Sequence, residues 1–172
     1  RVEGLVKRFG NVEAVSGLDL VTEGDWGCLG VLGRNGAGKS TFLRMLTGLL
    51  EPSSGSISLT IDGTVYSHAD PRLAVYIAEE QTVVDALTGW QYLSLYESMN
   101  GLLGITVDHD RREKLIADFA LEDQLHKPPE KMSKGTRRKL ELVAAVSTNV
   151  SIVIADELAE GVDVPSMYAF ER

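Results

Sequence analysis

Gly33-Arg34-Asn35-Gly36-Ala37-Gly38-Lys39-Ser40 is the stretch that decides how this chain is read. It fits G-x-x-x-x-G-K-[ST] at each fixed position, the pattern of a loop that wraps phosphates. The residue types follow from the chemistry. Glycines let the backbone turn so that successive N–H groups point inward at an anion. A helix starting near Lys39 directs its positive end at the same place. Lys39 would reach the outer phosphates as a point charge, and the Ser40 hydroxyl would ligate a Mg²⁺ that bridges them.

The flanks suit such a loop. Residues 28–32 form a continuous apolar run between glycines, which predicts a buried strand. Over residues 39–50, Phe42, Met45, Leu46 and Leu49 recur at i, i+3, i+4 and i+7, one face of an amphipathic helix. Glu51-Pro52-Ser53-Ser54-Gly55 ends it. Upstream, residues 2–6 read as a first strand, Phe9-Gly10-Asn11 as a turn, residues 18–21 as a short second strand and Glu23-Gly24-Asp25 as another turn.

Downstream, Ile57, Leu59 and Ile61 alternate as in a half-buried strand closed by Asp62-Gly63. Residues 75–78 read as a further apolar strand. Tyr92, Leu95, Tyr96 and Met99 repeat at helical spacing, as do Leu115, Ile116, Phe119 and Ala120, and both stripes read as core. Pro128-Pro129 marks a loop, residues 136–147 a third helix, and residues 152–155 a final buried strand. Strands alternating with helices indicate an α/β protein with a largely parallel sheet. The run of helices from about 88 to 148 reads as an inserted helical lobe.

Asp156 and Glu157 end the last strand. An acid after four apolar residues is costly unless it serves a ligand or cation. Asp156 would hold Mg²⁺ through water, and Glu157 would polarise a water for attack on a phosphate. The plainer alternative is a strand that ends at the surface, where acids are common.

Composition narrows the classes. With 17 basic and 25 acidic residues, the formal charge is −8, which argues against a general nucleic-acid binder. Cys28 is the single cysteine, so a disulfide framework and a multi-cysteine zinc site are excluded. No run approaches the ~20 apolar residues of a membrane helix, and the start has no basic-then-apolar signal pattern. Lys127, Lys131, Lys134, Arg137, Arg138 and Lys139 form one basic cluster, either a solvated helix face or an electropositive spot facing phosphate. His68, His109 and His126 read as surface or turn residues.

With its surroundings, the loop resembles one family over nearly the whole chain: the ATP-binding cassette (ABC) ATPases, the motor subunits of ABC transporters. Residues Gly33, Arg34, Asn35, Gly36, Ala37, Gly38, Lys39, Ser40 and Thr41 look like its Walker A motif, and Asp156-Glu157 like its Walker B pair. Met132-Ser133-Lys134-Gly135-Thr136 occupies the place of the L-S-G-G-Q signature, and Gly161-Val162-Asp163 that of the D-loop. Phe9 falls where the family keeps an adenine-stacking aromatic; the alternative is a ring that packs its hairpin. Glu79 lies at the Q-loop position, with Gln81 as the alternative if that loop is shifted by two. Lys134 and Thr136 depart from the signature, Ala78 replaces a usual proline, and Leu158, Ala159, Glu160 and Val164 depart from the pattern around the D-loop.

The resemblance implies a P-loop NTPase fold, with a mostly parallel sheet core, a small antiparallel β region and an inserted helical subdomain. It implies one nucleotide-binding domain over 1–172, with a core at 1–83 and 149–172 and the helical subdomain at 84–148. It implies ATP and Mg²⁺ as ligands. Glu157, Lys39 and Glu79 would be catalytic, and Ser40, Asp156 and Glu79 would sit at the metal. Phe9 and residues 33–41 would bind nucleotide, with Ser133, Gly135 and Asp163 contributed across a dimer. The implied partners are a second ATPase subunit and a transmembrane permease, with no nucleic acid. The implied place is cytoplasmic, peripheral at the inner face of the cell membrane through that permease.

The S-K-G form of the signature is similar to exporter branches of the family, so export is favoured over import. The alternatives are a cassette with little or no hydrolysis and a non-transport ABC ATPase. The family's switch histidine would fall beyond Arg172, and the chain lacks an initial methionine, so it is expected to be a piece of a longer domain.

Overall fold

A long hairpin organises the first part of the chain. The computed structural model is described over residues 1–22, 28–61, 63–68, 70, 72–80, 83–84 and 86–157. It divides into two units, residues 1–73 and 74–172. The expected turn at 23–25, Asp62, Gln81, the D-loop residues Gly161, Val162 and Asp163, and the departures at Leu158, Ala159, Glu160 and Val164 lie outside the described residues.

In the first unit, β1 (Val2–Phe9) and β2 (Val12–Leu20) pair antiparallel across the turn at Gly10-Asn11. The short second strand expected at 18–21 is thus the end of a nine-residue one. On its other edge β1 pairs antiparallel with β3 (Ser54–Ile57), giving the order β2-β1-β3. The single strand expected through Ile57, Leu59 and Ile61 is split. Ile57 ends β3, whereas β4 (Leu59–Ile61) forms a separate hairpin with β5 (Thr64–Tyr66).

Helix α1 (Lys39–Leu46) buries Phe42 and Met45 against Val2, Leu5, Val15 and Ile57. It stops short of the expected Leu50. Thr47 caps it and Gly48 takes φ +71, a left-handed conformation that ends helices readily in glycine. Leu49, expected on the apolar face, is therefore exposed.

The strand expected at 28–32 is not formed. Leu29 is exposed and Leu32 is 95% exposed. A continuous apolar run becomes a buried strand only where it finds ladder partners, and no described strand pairs with it.

The second unit contains the parallel pairing that the alternation of strands and helices predicted. β6 (Ala74–Ile77) and β7 (Ile152–Ala155) run parallel in the register Ile77↔Ala155. Between them lie α2 (Gly89–Gly101), α3 (His109–Asp118), a 3₁₀ turn (Pro129–Lys131) and α4 (Lys134–Val146). The architecture is mixed α/β with parallel and antiparallel sheets and a helical insertion, as a P-loop NTPase fold requires. Its antiparallel share is larger than expected among the described residues, because β6–β7 is the single parallel pair there.

Short polar side chains start each helix of this unit. Thr88 and Gln91 form a reciprocal capping box on α2. Asp108 accepts from the Arg111 amide to cap α3, and Ser133 accepts from the Thr136 amide to cap α4. Helix α4 is the centre of the unit, with residues 140–145 all buried against Tyr92, Leu93, Leu115, Ile116 and Phe119. Two members of the expected α2 stripe, Leu95 and Met99, are exposed instead. Ala120 is exposed as well, in a left-handed turn at φ +52 that follows α3. Among the described residues, no helix is long and apolar enough to cross a membrane.

Candidate functional site

In the first unit the site is built by the turn before α1. Gly36 and Gly38 both take left-handed φ, +78 and +86, so the amides around them turn toward the helix start. The Ala37 amide donates to the Arg34 carbonyl at 3.1 Å and closes the turn. No side chain caps α1, so its first N–H groups keep their capacity for an anion. Lys39 Nζ donates to the Gly33 and Arg34 carbonyls, at 3.1 and 3.2 Å, and so lies folded along the loop. Arg34, Asn35, Gly36 and Ala37 are exposed, whereas Ser40 and Thr41 are half-buried in the first turn of α1. Backbone amides at a helix start, the Lys39 ammonium and the Ser40 hydroxyl are the groups that a Mg²⁺–polyphosphate takes.

Gly38 fixes where this loop sits. A Cβ there would lie 2.2 Å from the Ala14 carbonyl oxygen, so the loop backbone rests directly on β2. Ala14 is two residues, about 7 Å, along β2 from Val12. Val12 is the cross-strand partner of Phe9. Phe9 is 51% exposed, with Lys7 Nζ 5.3 Å from its ring centroid. The ring therefore stands open at the hairpin tip rather than packed inside the hairpin, with one cation beside its π-face.

In the second unit the carboxylates gather at one end of the parallel pair. Asp156 is buried, and its carboxylate accepts from the Tyr76 hydroxyl at 3.3 Å. Its amide donates to the Ile77 carbonyl at 2.9 Å, which extends the ladder by one residue. Glu157 follows, exposed and at φ +51, an unusual conformation for a residue with a Cβ. Glu79, two residues past β6, is exposed at this same end. The carboxyl ends of parallel strands are where open α/β sheets bind ligands. A buried carboxylate with an exposed one beside it fits a divalent cation and a water. Among the described residues, no group of three or more His, Cys, Asp and Glu is assembled as a metal cage by the protein itself.

Ser133 and Gly135 stand at the N-terminus of α4, Ser133 exposed and Gly135 half-buried. Ser133 Oγ also meets Thr136 Oγ1 at 2.8 Å. A hydroxyl has one donor and two acceptor sites, so the cap does not exhaust it. The basic cluster proves to be two things. Lys127, Lys131 and Lys134 are exposed, but Arg138 is buried and reaches the ends of β6 and β7. Reading the cluster as one solvated or phosphate-facing patch missed this. Arg138, Glu141, Leu142 and Ala145 recur at i, i+3, i+4 and i+7, a stripe that could have identified the buried pair. The three histidines are all exposed, as their sequence contexts suggested.

Comparison with known proteins gives a consistent answer. A family model described as "ABC transporter" matches residues 24–160. The chain is 35% identical over 164 residues to the daunorubicin resistance ATP-binding protein DrrA3 of Streptomyces coeruleorubidus. That alignment covers 94% of this chain and 51% of the relative, so the chain spans about half of that protein's length. Among solved structures, an ATP-binding subunit of an ABC transporter aligns with TM-score 0.73 and 28% identity, covering 98% of this chain and 70% of that one. The dimeric bacterial ABC transporter cassette MJ0796 aligns with TM-score 0.71 at 19% identity, covering 98% of this chain and 78% of that one, a likeness of fold.

Proposed function

The chain belongs to the ABC transporter family of ATP-binding domains, and on that premise we propose that it binds and hydrolyses ATP as the motor of a transporter. The observation that carries this reading is the turn at residues 33–41: two left-handed glycines and Lys39 before an uncapped helix start.

In this reading Phe9 stacks on adenine. Gly33, Arg34, Asn35, Gly36, Ala37, Gly38, Lys39, Ser40 and Thr41 bind the phosphates, several of them through backbone amides. Lys39 exchanges its loop carbonyls for phosphate oxygens. Ser40, Asp156 and Glu79 would hold Mg²⁺, which when bound would supply positive charge to the phosphate oxygens. Glu157 accepts a proton from the attacking water as the water oxygen bonds to the γ-phosphorus. The bridge from γ-phosphorus to the β-phosphate then breaks, and ADP leaves. General-base help of this kind is worth about 10²–10⁴ in rate.

Ser133 and Gly135, with Asp163, serve the nucleotide of a second subunit in a head-to-tail dimer. A bacterial ABC transporter cassette of the same fold is dimeric, which supports pairing of two subunits. A membrane-embedded permease would couple the dimer to transport, with the ATPase peripheral at the cytoplasmic face. Export is the favoured direction, on the S-K-G form of the signature. The core of this domain is residues 1–83 and 149–172, and the helical subdomain is residues 84–148.

The test is Glu157→Gln in the full-length protein. It should keep ATP binding, stop phosphate release and accumulate an ATP-bound dimer in sedimentation. Hydrolysis at the unmodified rate would remove Glu157 from the mechanism.

A further inference from the structure

Arg138 is 2% exposed, yet its guanidinium is turned toward backbone rather than toward water. Nη1 donates to the Ala78 carbonyl at 2.5 Å and to Glu141 Oε2 at 3.3 Å. Nη2 donates to the Asp156 carbonyl at 2.9 Å and to the Glu157 carbonyl at 3.4 Å. Ala78 is the first residue past β6, and Asp156 and Glu157 are the first two past β7. One side chain of the signature helix therefore bridges the ends of both parallel strands, where the ladder between them runs out after the Asp156 amide.

A buried charge needs a counter-charge, and Glu141, itself buried, supplies it. Charge balance alone does not require the three carbonyls. They are the use of a planar fork, which fixes several acceptors at once where an ammonium fixes fewer. The carbonyls it holds belong to the residue before Glu79, to the metal candidate Asp156 and to the catalytic candidate Glu157. Glu157 carries the strained left-handed φ, a conformation that persists only where its surroundings over-determine it.

We infer that Arg138 is a positioning residue that ties the placement of α4 to the backbone bearing Glu157 and Glu79. The inference rests on the ATPase reading above. Through Arg138, a displacement of the signature helix moves the general base relative to the reacting water, so hydrolysis is fast only with α4 in register. Arg138 touches no nucleotide, and its effect is on the chemical step.

The experiment compares wild type, Arg138→Met, Arg138→Lys and Glu157→Gln in the full-length protein. MgATP binding gives Kd and the number of sites, and phosphate release per site gives kcat and KM. Arg138→Met should lower kcat per site by about 10–100-fold, the scale of a misplacement near 1 Å. KM and Kd should stay within about twofold, since ground-state binding is untouched. Arg138→Lys, which keeps the charge beside Glu141 but not the fork, should fall between the two. A merely structural role would lower the melting temperature and the number of binding sites while leaving kcat per site unchanged. Wild-type kcat per site in either folded variant overturns the inference, and the Lys variant decides it if the Met variant does not fold. Loss of hydrolysis in Glu157→Gln with wild-type kcat in the Arg138 variants would sink this inference alone. Hydrolysis unaffected by Glu157→Gln would sink the reading beneath it.

Discussion

Gly36→Ala and Gly38→Ala form a matched pair that isolates what the phosphate loop demands of its neighbours. Both glycines are left-handed, at φ +78 and +86, so alanine meets similar backbone strain at each, about 1–2 kcal/mol. Both substitutions also restrict the unfolded chain, which offsets about 0.4–1 kcal/mol. The two positions differ in space. A Cβ on Gly36 meets nothing within 4 Å, whereas one on Gly38 would lie 2.2 Å from the Ala14 carbonyl and 3.2 Å from Val15 Cγ2. The first of these is backbone of β2 and cannot swing aside, so overpacking adds about 1–3 kcal/mol at Gly38 alone. Gly36→Ala should then cost about 0–1.5 kcal/mol and Gly38→Ala about 1–4.5 kcal/mol. Urea unfolding followed by circular dichroism reads the difference as a lower midpoint at unchanged slope. Equal midpoints for the two variants, or a larger loss at Gly36, would refute the seating of the loop on β2.

Three further outcomes follow from individual residues. Phe9→Ala should weaken ATP binding by about 1–3 kcal/mol, as loss of base–aromatic stacking does, with little change in melting temperature because the ring is half exposed; unchanged affinity in a titration with ATP would return Phe9 to a surface role. Ser133→Ala removes the cap of α4 and should destabilise the second unit by about 1 kcal/mol, read by denaturant unfolding, and no loss would show that the Thr136 amide finds another acceptor. The Arg72 side chain and then its amide, both hydrogen-bonded to Asp70, hold that carboxyl at about 2, below its usual 3.8. Because the folded value is depressed, the stabilisation is complete above pH 3.8 and is lost as pH falls through about 2. A carboxyl NMR titration with its midpoint near 3.8 in the native protein would contradict the pairing.

Much of the candidate site was legible because its chemistry is local. The loop at residues 33–41 carries its requirement for glycine, lysine and hydroxyl in consecutive positions, and Asp156 is marked by the apolar residues before it. The caps Thr88, Asp108 and Ser133 are equally local, each a short polar side chain that satisfies an amide within its own turn, although the helices were expected from apolar spacing alone. What depended on distant partners was not legible. Residues 28–32 and 152–155 have the same apolar character, but the second run finds β6 as a ladder partner and the first forms no described strand. Leu49 fits the helical period, but Gly48 ends the helix before that residue can face the core. Arg138 looked like one charge among six. The stripe it shares with Glu141, Leu142 and Ala145 marks its buried face, but the carbonyls it meets lie 60 and 18 residues away in sequence, and periodicity along one helix does not reveal those.

In the proposed function residues 33–41 hold the phosphates of ATP, and equilibrium binding of MgATP to the full-length protein and its Lys39→Ala variant decides whether they do. Saturable binding is expected for the wild type, one nucleotide per chain, and none measurable for Lys39→Ala at the same concentrations in a variant that remains folded. Equal affinity in the two proteins would contradict it.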